Sequence, residues 1–283
     1  MPYNLRAPSL PLQPTEYDKS QQDQFQNALR LYFNRLDNYL VNLSNSGGGG
    51  GSQLYFPQGS FHQDGNTTLT ANMTNVSTAA IQVTSTSTFL SSGYLLIESE
   101  LIAYTGKTGT TFTGITRGVY GTTNVSHTAP KTVTEALGTP SATTSVAIPF
   151  TSTDTSNNVA IDATTNTKIV FSIAGYYNVQ FSAQLLSYAT SPDNVTFWFK
   201  QNGVDVDYSA GNQSVSAKHG TFPGSGIVSW NQIFAFNAGD YLELYYCSDS
   251  GNTVVATKPA GTAPVHPTSP SVALSATFVS ALY

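Results

Sequence analysis

"KIVFSIAGYYNVQFSAQL", residues 168–185, decides the fold. An apolar run ends at Ala174-Gly175. After it Tyr177, Val179 and Phe181 alternate with Tyr176, Asn178 and Gln180. Successive side chains of a strand point to opposite faces, so this period of two predicts a strand with one apolar face. The first three residues are expected to line a core and the second three to face away from it.

The composition carries that reading outward. Charged residues make up only 10% of the 283 residues, against about 25% in an average globular domain. Aromatics reach 12%, and Ser, Thr, Asn and Gly fill the rest. Such a chain builds many short strands with hydroxyl-rich faces rather than helices laced with Glu and Lys. A formal net charge of −5 gives no basic stripe for nucleic acid. No stretch approaches the ~20 apolar residues of a membrane span, and "MPYNLRAPSLPLQP" lacks the apolar segment of a signal peptide. The expectation is a protein made and kept in the cytosol, or one that leaves it without a cleaved signal. Cys247 is the single cysteine, so no intramolecular disulfide and no cysteine metal site is possible.

Upstream, the chain divides into segments. Residues 1–15 read as an extended docking arm, because Pro2, Pro8, Pro11 and Pro14 prevent a helix. Residues 16–44 read as a helix that Thr15 can cap, with Glu16 and Asp18 in its first turn. Gln22, Phe25, Leu29, Tyr32, Leu36, Tyr39 and Leu43 recur at alternating spacings of 3 and 4, a heptad seam. Bulky Tyr and Phe in that seam suit three strands, or a dock on a foreign surface, better than a tight dimer. "NSGGGGGS" at 45–52 is a flexible linker, and its glycines uncouple the helix from the β-rich remainder of the chain.

Residues 53–136 read as a β-rich middle module. Its strands are expected at Ile81–Thr84, Tyr94–Glu98, Leu101–Thr105 and Thr111–Ile115, with Gly106-Lys107 and Gly109 as hairpin signals. Lys107, Arg117 and His127 are scattered singly and read as solvated loop residues. Residues 137–283 form the last segment, where Pro140, Pro149, Pro192 and Pro223 punctuate about eight to ten short strands at jelly-roll spacing.

Four motifs of that segment fall into one order: "KIVFSIAGYYNVQFSAQL", then "NVTFWFKQNGVDV" (194–206), "FAFNAGDYLELYY" (234–246) and "SATFVSALY" (275–283). In that order they resemble the trimeric jelly-roll heads of the tumour-necrosis-factor and complement globular-head superfamily, as used in phage fibre tips. The Pro-rich stretch 257–270 departs from the pattern. The middle stretch "SGYLLIESELIAYTGKTGTTFTGITRG" resembles a module recurrent in phage virion proteins. The opening "PYNLRAPSLPLQPTEYDKSQQDQFQNALRLYFNRLDNYL" is similar to the N-terminus of virion structural proteins of marine cyanophages.

The resemblance implies a mainly β homotrimer assembled into a virion in the host cytoplasm. Residues 1–44 would dock on a tail or capsid protein, with Phe25, Leu29, Tyr32, Leu36, Tyr39 and Leu43 as trimer seam or docking surface. The C-terminal head would touch a host surface glycan or protein, and Tyr176, Asn178 and Gln180 would face the threefold axis. A tail fibre or spike is the leading expectation. A head decoration or capsid fibre with a purely structural role is the alternative, and a polysaccharide-cleaving spike is the weakest, since no repeats suggest a parallel β-helix.

The residues suggest no enzyme, cofactor or metal. His62, His127, His219 and His266 each stand alone, without partners at helical ligand spacing. Asp205 and Asp207 lie two apart, so on a strand they would share a face. They could hold Ca²⁺ with loop oxygens, or simply meet solvent at an edge strand. Asp240 in "AGDYLEL" reads as a turn residue bonding its own backbone. Recognition is expected on the loops Tyr188–Asn194, Tyr208–Gly226 and Ser248–Pro270.

Overall fold

The computed structural model describes residues 19–45 and 56–282, with the backbone alone for 20, 21 and 38–45. The arm 1–15, the Thr15 cap, the linker residues 46–52 and the side chains of Tyr39 and Leu43 lie outside the described residues. The chain forms two compact units, Met1–Phe56 and Pro57–Tyr283.

The first unit contributes one α-helix, Lys19–Asn45. At 1.5 Å per residue its 27 residues span roughly 40 Å. Leu29, Tyr32 and Leu36 are half-buried along the predicted seam, whereas Phe25, Leu31 and Phe33 are exposed. The helix is not apolar enough to cross a membrane, nor is any other helix among the described residues.

The second unit is mainly β, with several sheets. Its axis is the 13-residue strand Gly175–Ser187 that the opening motif predicted. One edge of this strand pairs along its whole length with Gly224–Phe236. The other edge is shared by two successive partners. Val272–Ser280 covers Tyr176 to Ala183, and Thr253–Ala256 covers Leu185 to Ser187. The sheet therefore forks. One branch continues through Gln58–Gln63 to Ser152–Asn157, and the other through Thr132–Gly138 to Gly93–Ile97 and Glu100–Tyr104.

A second sheet lies opposite, in the order Val159–Ile161, Ile169–Phe171, Tyr241–Ser248, Asp193–Gln201, with Gly211–Val215 on the far edge. The main core fills the space between the sheets. Tyr177, Val179 and Phe181 from the first sheet are at most 1% exposed, as are Phe197, Phe199 and Leu244 from the second. Phe171 stacks on Phe236 at 3.7 Å, and Phe181 lies 5.6 Å from both Phe197 and Phe199. The Ala174-Gly175 step is required by this packing. A Cβ on Gly175 would sit 2.3 Å from the Phe278 ring and 2.8 Å from the Ser280 carbonyl.

Within the middle segment the expected strands fall within a residue or two of those observed, Ile81–Gln82, Gly93–Ile97, Glu100–Tyr104 and Thr111–Thr113. Gly106–Lys107 pairs back on Thr113 and Phe112 as a hairpin. A separate apolar cluster built on Leu69, Ile81, Leu95, Ile102, Tyr104 and Phe112 holds this region together.

The expected division at 136/137 does not divide the fold. Thr132–Gly138 runs through it and pairs on one side with the module strand Gly93–Ile97, on the other with Thr253–Ala256. Gln58–Gln63, placed by sequence in the module, pairs instead with Ser152–Asn157 and Val272. The module is thus an insertion between two neighbouring strands of the sandwich. A third apolar cluster, with Leu96, Leu101 and Ala136 beside Tyr188 and Val254, cements it to the sheet it extends.

Candidate functional site

The outward face of the forked sheet is its most unusual surface. The strands Gly175–Ser187, Gly224–Phe236 and Val272–Ser280 contain no Asp, Glu, Lys, Arg or His. Register fixes which residues share the outer face: Tyr176 lies opposite Ala235, Asn178 opposite Ile233 and Thr277, and Gln180 opposite Asn231 and Ser275. Asn231 donates to Asn178 at 3.1 Å. Large apolar side chains lie open among these amides and hydroxyls, with Ile227 62%, Ile233 59%, Val279 53% and Tyr176 39% exposed. Charge depletion around exposed apolar and aromatic groups is the signature of the centre of a protein interface. The structure brings Tyr176, Asn178 and Gln180 together on this face, as the alternation predicted.

The loop expectation changes. In Tyr188–Asn194, residues Tyr188, Ala189 and Asp193 are buried, and Asp193 accepts from Thr253 Oγ1 at 2.6 Å and the Ser250 amide at 3.0 Å. The stretch Tyr208–Gly226 contains the strand Gly211–Val215, and Ser248–Pro270 contains the fully buried strand Thr253–Ala256. Tyr208, Phe222 and Val265 are the large side chains these stretches leave exposed.

Asp205 and Asp207 do not share a strand face, because the strand is only Val204–Asp205. After Val206 the chain turns into a loop anchored by the buried Ser209, whose hydroxyl donates to Val206 O at 2.7 Å and accepts from the Phe199 amide at 3.0 Å. Asp205 accepts from Trp198 Nε1 at 2.7 Å and lies 3.3 Å from Lys200 Nζ. Asp240 accepts from the Asn237 amide at 2.7 Å, as a turn residue should, and also from Asn202 Nδ2 at 2.8 Å. Among the described residues no group of three or more His, Cys, Asp or Glu is arranged to hold a metal ion.

Sequence reasoning missed two buried polar centres in the inserted module. The side chains of Arg117 and His127, expected in solvent, are buried. Arg117 forks onto Glu100 at 2.5 Å (Nε) and 2.7 Å (Nη2), and its remaining donors reach the carbonyls of Thr74, Ser77 and Val125. His127 places its two ring nitrogens 2.9 Å from Glu98 and 2.9 Å from Glu100. Lys131 closes on Glu98 at 2.6 Å. Burial alone would push the Glu100 carboxyl up, but Arg117, the Val125 amide and His127 reverse this and hold it below the ordinary carboxylate value. Lys131 and His127 do the same for Glu98.

The second centre is Glu135, 1% exposed. It accepts from the Leu90 amide at 2.9 Å, from Tyr104 Oη at 2.8 Å and from Gln63 Nε2. Lys107, also expected in solvent, donates instead to the carbonyls of Thr86 and Phe89. Together Glu135 and Lys107 pin the backbone of 86–90, one wall of a cleft of about 620 Å³ whose other wall is Pro149–Thr151 and 161–166.

Burial lifts the Glu135 pKa to about 7, despite its three donors. The folded value lies above the unfolded one. The contribution of Glu135 to stability is therefore complete below its ordinary value of 4.5 and lost as pH rises through about 7. A displacement of that size is worth roughly 3 kcal/mol. Glu135→Gln should therefore raise the thermal midpoint relative to wild type at pH 8.5, and the gap should close by pH 4. Equal midpoints at both pH values would show that folding leaves the Glu135 pKa at its ordinary value. Compared with known proteins, the chain matches no family model and no curated sequence.

Proposed function

We propose that the chain is the protomer of a homotrimeric virion appendage, anchored through residues 1–44 and presenting the β unit outward to the host surface. The observation that carries this reading is the uncharged outer face around Tyr176, Ile233 and Val279. A face of that chemistry left in solvent is an aggregation liability, whereas buried against copies of itself it closes an assembly.

The strand connections support a jelly-roll head. Ile169–Phe171, Gly175–Ser187 and Asp193–Gln201 follow one another in sequence yet alternate between the two sheets, and Gly211–Val215, Gly224–Phe236 and Tyr241–Ser248 do the same. Such crossing between sheets is how jelly rolls are wound. It agrees with the sequence resemblance to trimeric heads. The helix adds a second, independent route to self-association, since Leu29, Tyr32 and Leu36 form an apolar seam along it.

Multi-angle light scattering of the full-length protein at micromolar concentration should give three times the 30.1 kDa chain mass. A monomer or dimer mass rejects the reading. Host contact is tested by adsorption: excess purified protein should slow attachment of the phage whose virion carries it. Loading onto virions without any such competition would favour the decoration or capsid-fibre role.

A further inference from the structure

We propose that the outward face of the second sheet is a saccharide-binding platform centred on Trp198 and Tyr245. The proposal deepens the host-contact reading and rests on it for its biological role, though not for the binding itself. On this face Trp198 is the direct cross-strand partner of Tyr245, and Lys200 that of Glu243. All but Glu243 are half-exposed, so the fold places an indole and a phenol side by side at the surface of a sheet whose other face already fills the core.

Their orientation is fixed by polar partners. The Trp198 indole N–H donates to Asp205 at 2.7 Å. The same Asp205 oxygen lies 3.3 Å from Lys200 Nζ, and Lys200 Nζ lies 4.5 Å from the Tyr245 ring centre. Tyr245 returns to Trp198 with ring centres 5.8 Å apart. Four side chains thus form a closed circuit in which each touches the next. Further along the strand Lys168 sits 4.4 Å from the Tyr241 ring centre, and Thr167 donates to Glu243 at 2.7 Å. Aromatics held this way lose little side-chain entropy when a ligand stacks on them.

Charge selects the ligand class. Lys168 and Lys200 balance Asp205 and Glu243, and the closest of these charges are already engaged with one another or with rings and hydroxyls. These four side chains therefore offer no uncompensated charge to an ionic ligand. It offers aromatic ring surface and a rim of donors and acceptors. A pyranose ring matches both, with an apolar C–H face to lie on the rings and hydroxyls to meet the rim. Self-association through the opposite, uncharged sheet face leaves this platform uncovered.

The chain has two tryptophans, and the other, Trp230, packs against Phe181 at 4.5 Å. In the full-length Trp230→Phe protein, emission reports Trp198 alone. Titration with maltotriose, cellotriose and the N-acetylglucosamine trimer should give a saturable change with at least one of them, and calorimetry on the wild-type protein should give the same affinity. Tyr245→Ala and Trp198→Ala should each weaken that binding by at least about tenfold, the loss expected for an aromatic anchor. Circular dichroism and assembly mass should stay unchanged. Trp198→Phe, which keeps a ring, should retain most of the affinity. The proposal is overturned if none of the three sugars binds, if dextran sulfate binds and they do not, or if neither alanine variant alters the affinity. Sugar binding without adsorption competition would keep the platform and remove the host-contact reading.

Discussion

Tyr177→Ala should unfold the sandwich, whereas Tyr176→Asp, one residue away, should leave it folded and split its assembly. Tyr177 is fully buried. Its ring meets Phe171 at 4.8 Å, Phe278 at 5.4 Å and Phe236 at 5.8 Å, and its hydroxyl donates to the Ile173 carbonyl at 2.8 Å. Truncation empties a site bounded by strands of both sheets and strands that carbonyl, for a loss of ~3–5 kcal/mol. That is a large share of the stability of an ordinary domain. Tyr176 is 39% exposed and lies opposite Ala235 on the uncharged face, where an aspartate meets only water in the single chain. Within a self-associated face the same carboxylate would be buried without a partner. Denaturant titration read by circular dichroism and light scattering on both variants separates the two effects. If the variants behave alike, the assignment of core and assembly faces along this strand is wrong. Ile233→Asp should repeat the Tyr176→Asp result from the neighbouring strand.

The sandwich was legible because its rules are local. Strand parity placed Tyr177, Val179 and Phe181 inside and Tyr176, Asn178 and Gln180 outside, and burial tracks that alternation residue by residue. The turn motifs were legible for the same reason. "KQNG" puts Asn202 and Gly203 at positive φ in a two-residue hairpin that joins Gln201 to Val204. It then meets the "AGD" turn through the Asn202 contact with Asp240. Insertion of the module was not legible. Its signature is pairing between Gln58–Gln63 and Ser152–Asn157 across the whole intervening segment, and pairing at that separation leaves no periodic trace. The polar centres were hidden likewise. Arg117 reaches Glu100 across 17 residues, and His127 reaches Glu98 across 29. Only Glu98 and Glu100 sit close together, and their turn, with Glu98 at φ 56, reads from sequence as an ordinary polar hairpin tip. The Asp205–Asp207 spacing misled in the opposite direction, because spacing of two implies a shared face only while the strand lasts.

Arg117→Met should destabilise the inserted module by about 3–5 kcal/mol, the cost of removing one partner from a buried ion pair. The Glu100 side chain is 0% exposed and that of Arg117 only 3%, so water cannot replace the lost guanidinium. Three backbone carbonyls, those of Thr74, Ser77 and Val125, lose their donor in the same step. Glu100 would keep only the Val125 amide and His127, and with Arg117 gone the burial that raises its carboxyl pKa would be opposed less. The loss should therefore be larger at pH 8 than at pH 5, where a carboxyl with a raised pKa can take up a proton and shed the buried charge. Glu100→Gln in the same chain removes that charge outright, so the double variant should be more stable at pH 8 than Arg117→Met alone, although two positions are then altered. Such coupling is the mark of a buried pair, and exposed pairs seldom exceed ~1 kcal/mol. The damage should not stop at the module. Its two ends continue into the sandwich, through Gln63 at one side and Thr132–Gly138 at the other. If the module and the sandwich melt together, Arg117→Met lowers a single transition seen equally by far-ultraviolet circular dichroism and by Trp198 and Trp230 emission. If the insertion is an autonomous unit, the tryptophans, both in the sandwich, keep their wild-type midpoint while part of the β signal is lost early. A loss below ~1 kcal/mol at pH 8 would mean that the Glu100–Arg117 fork contributes no more than a surface pair.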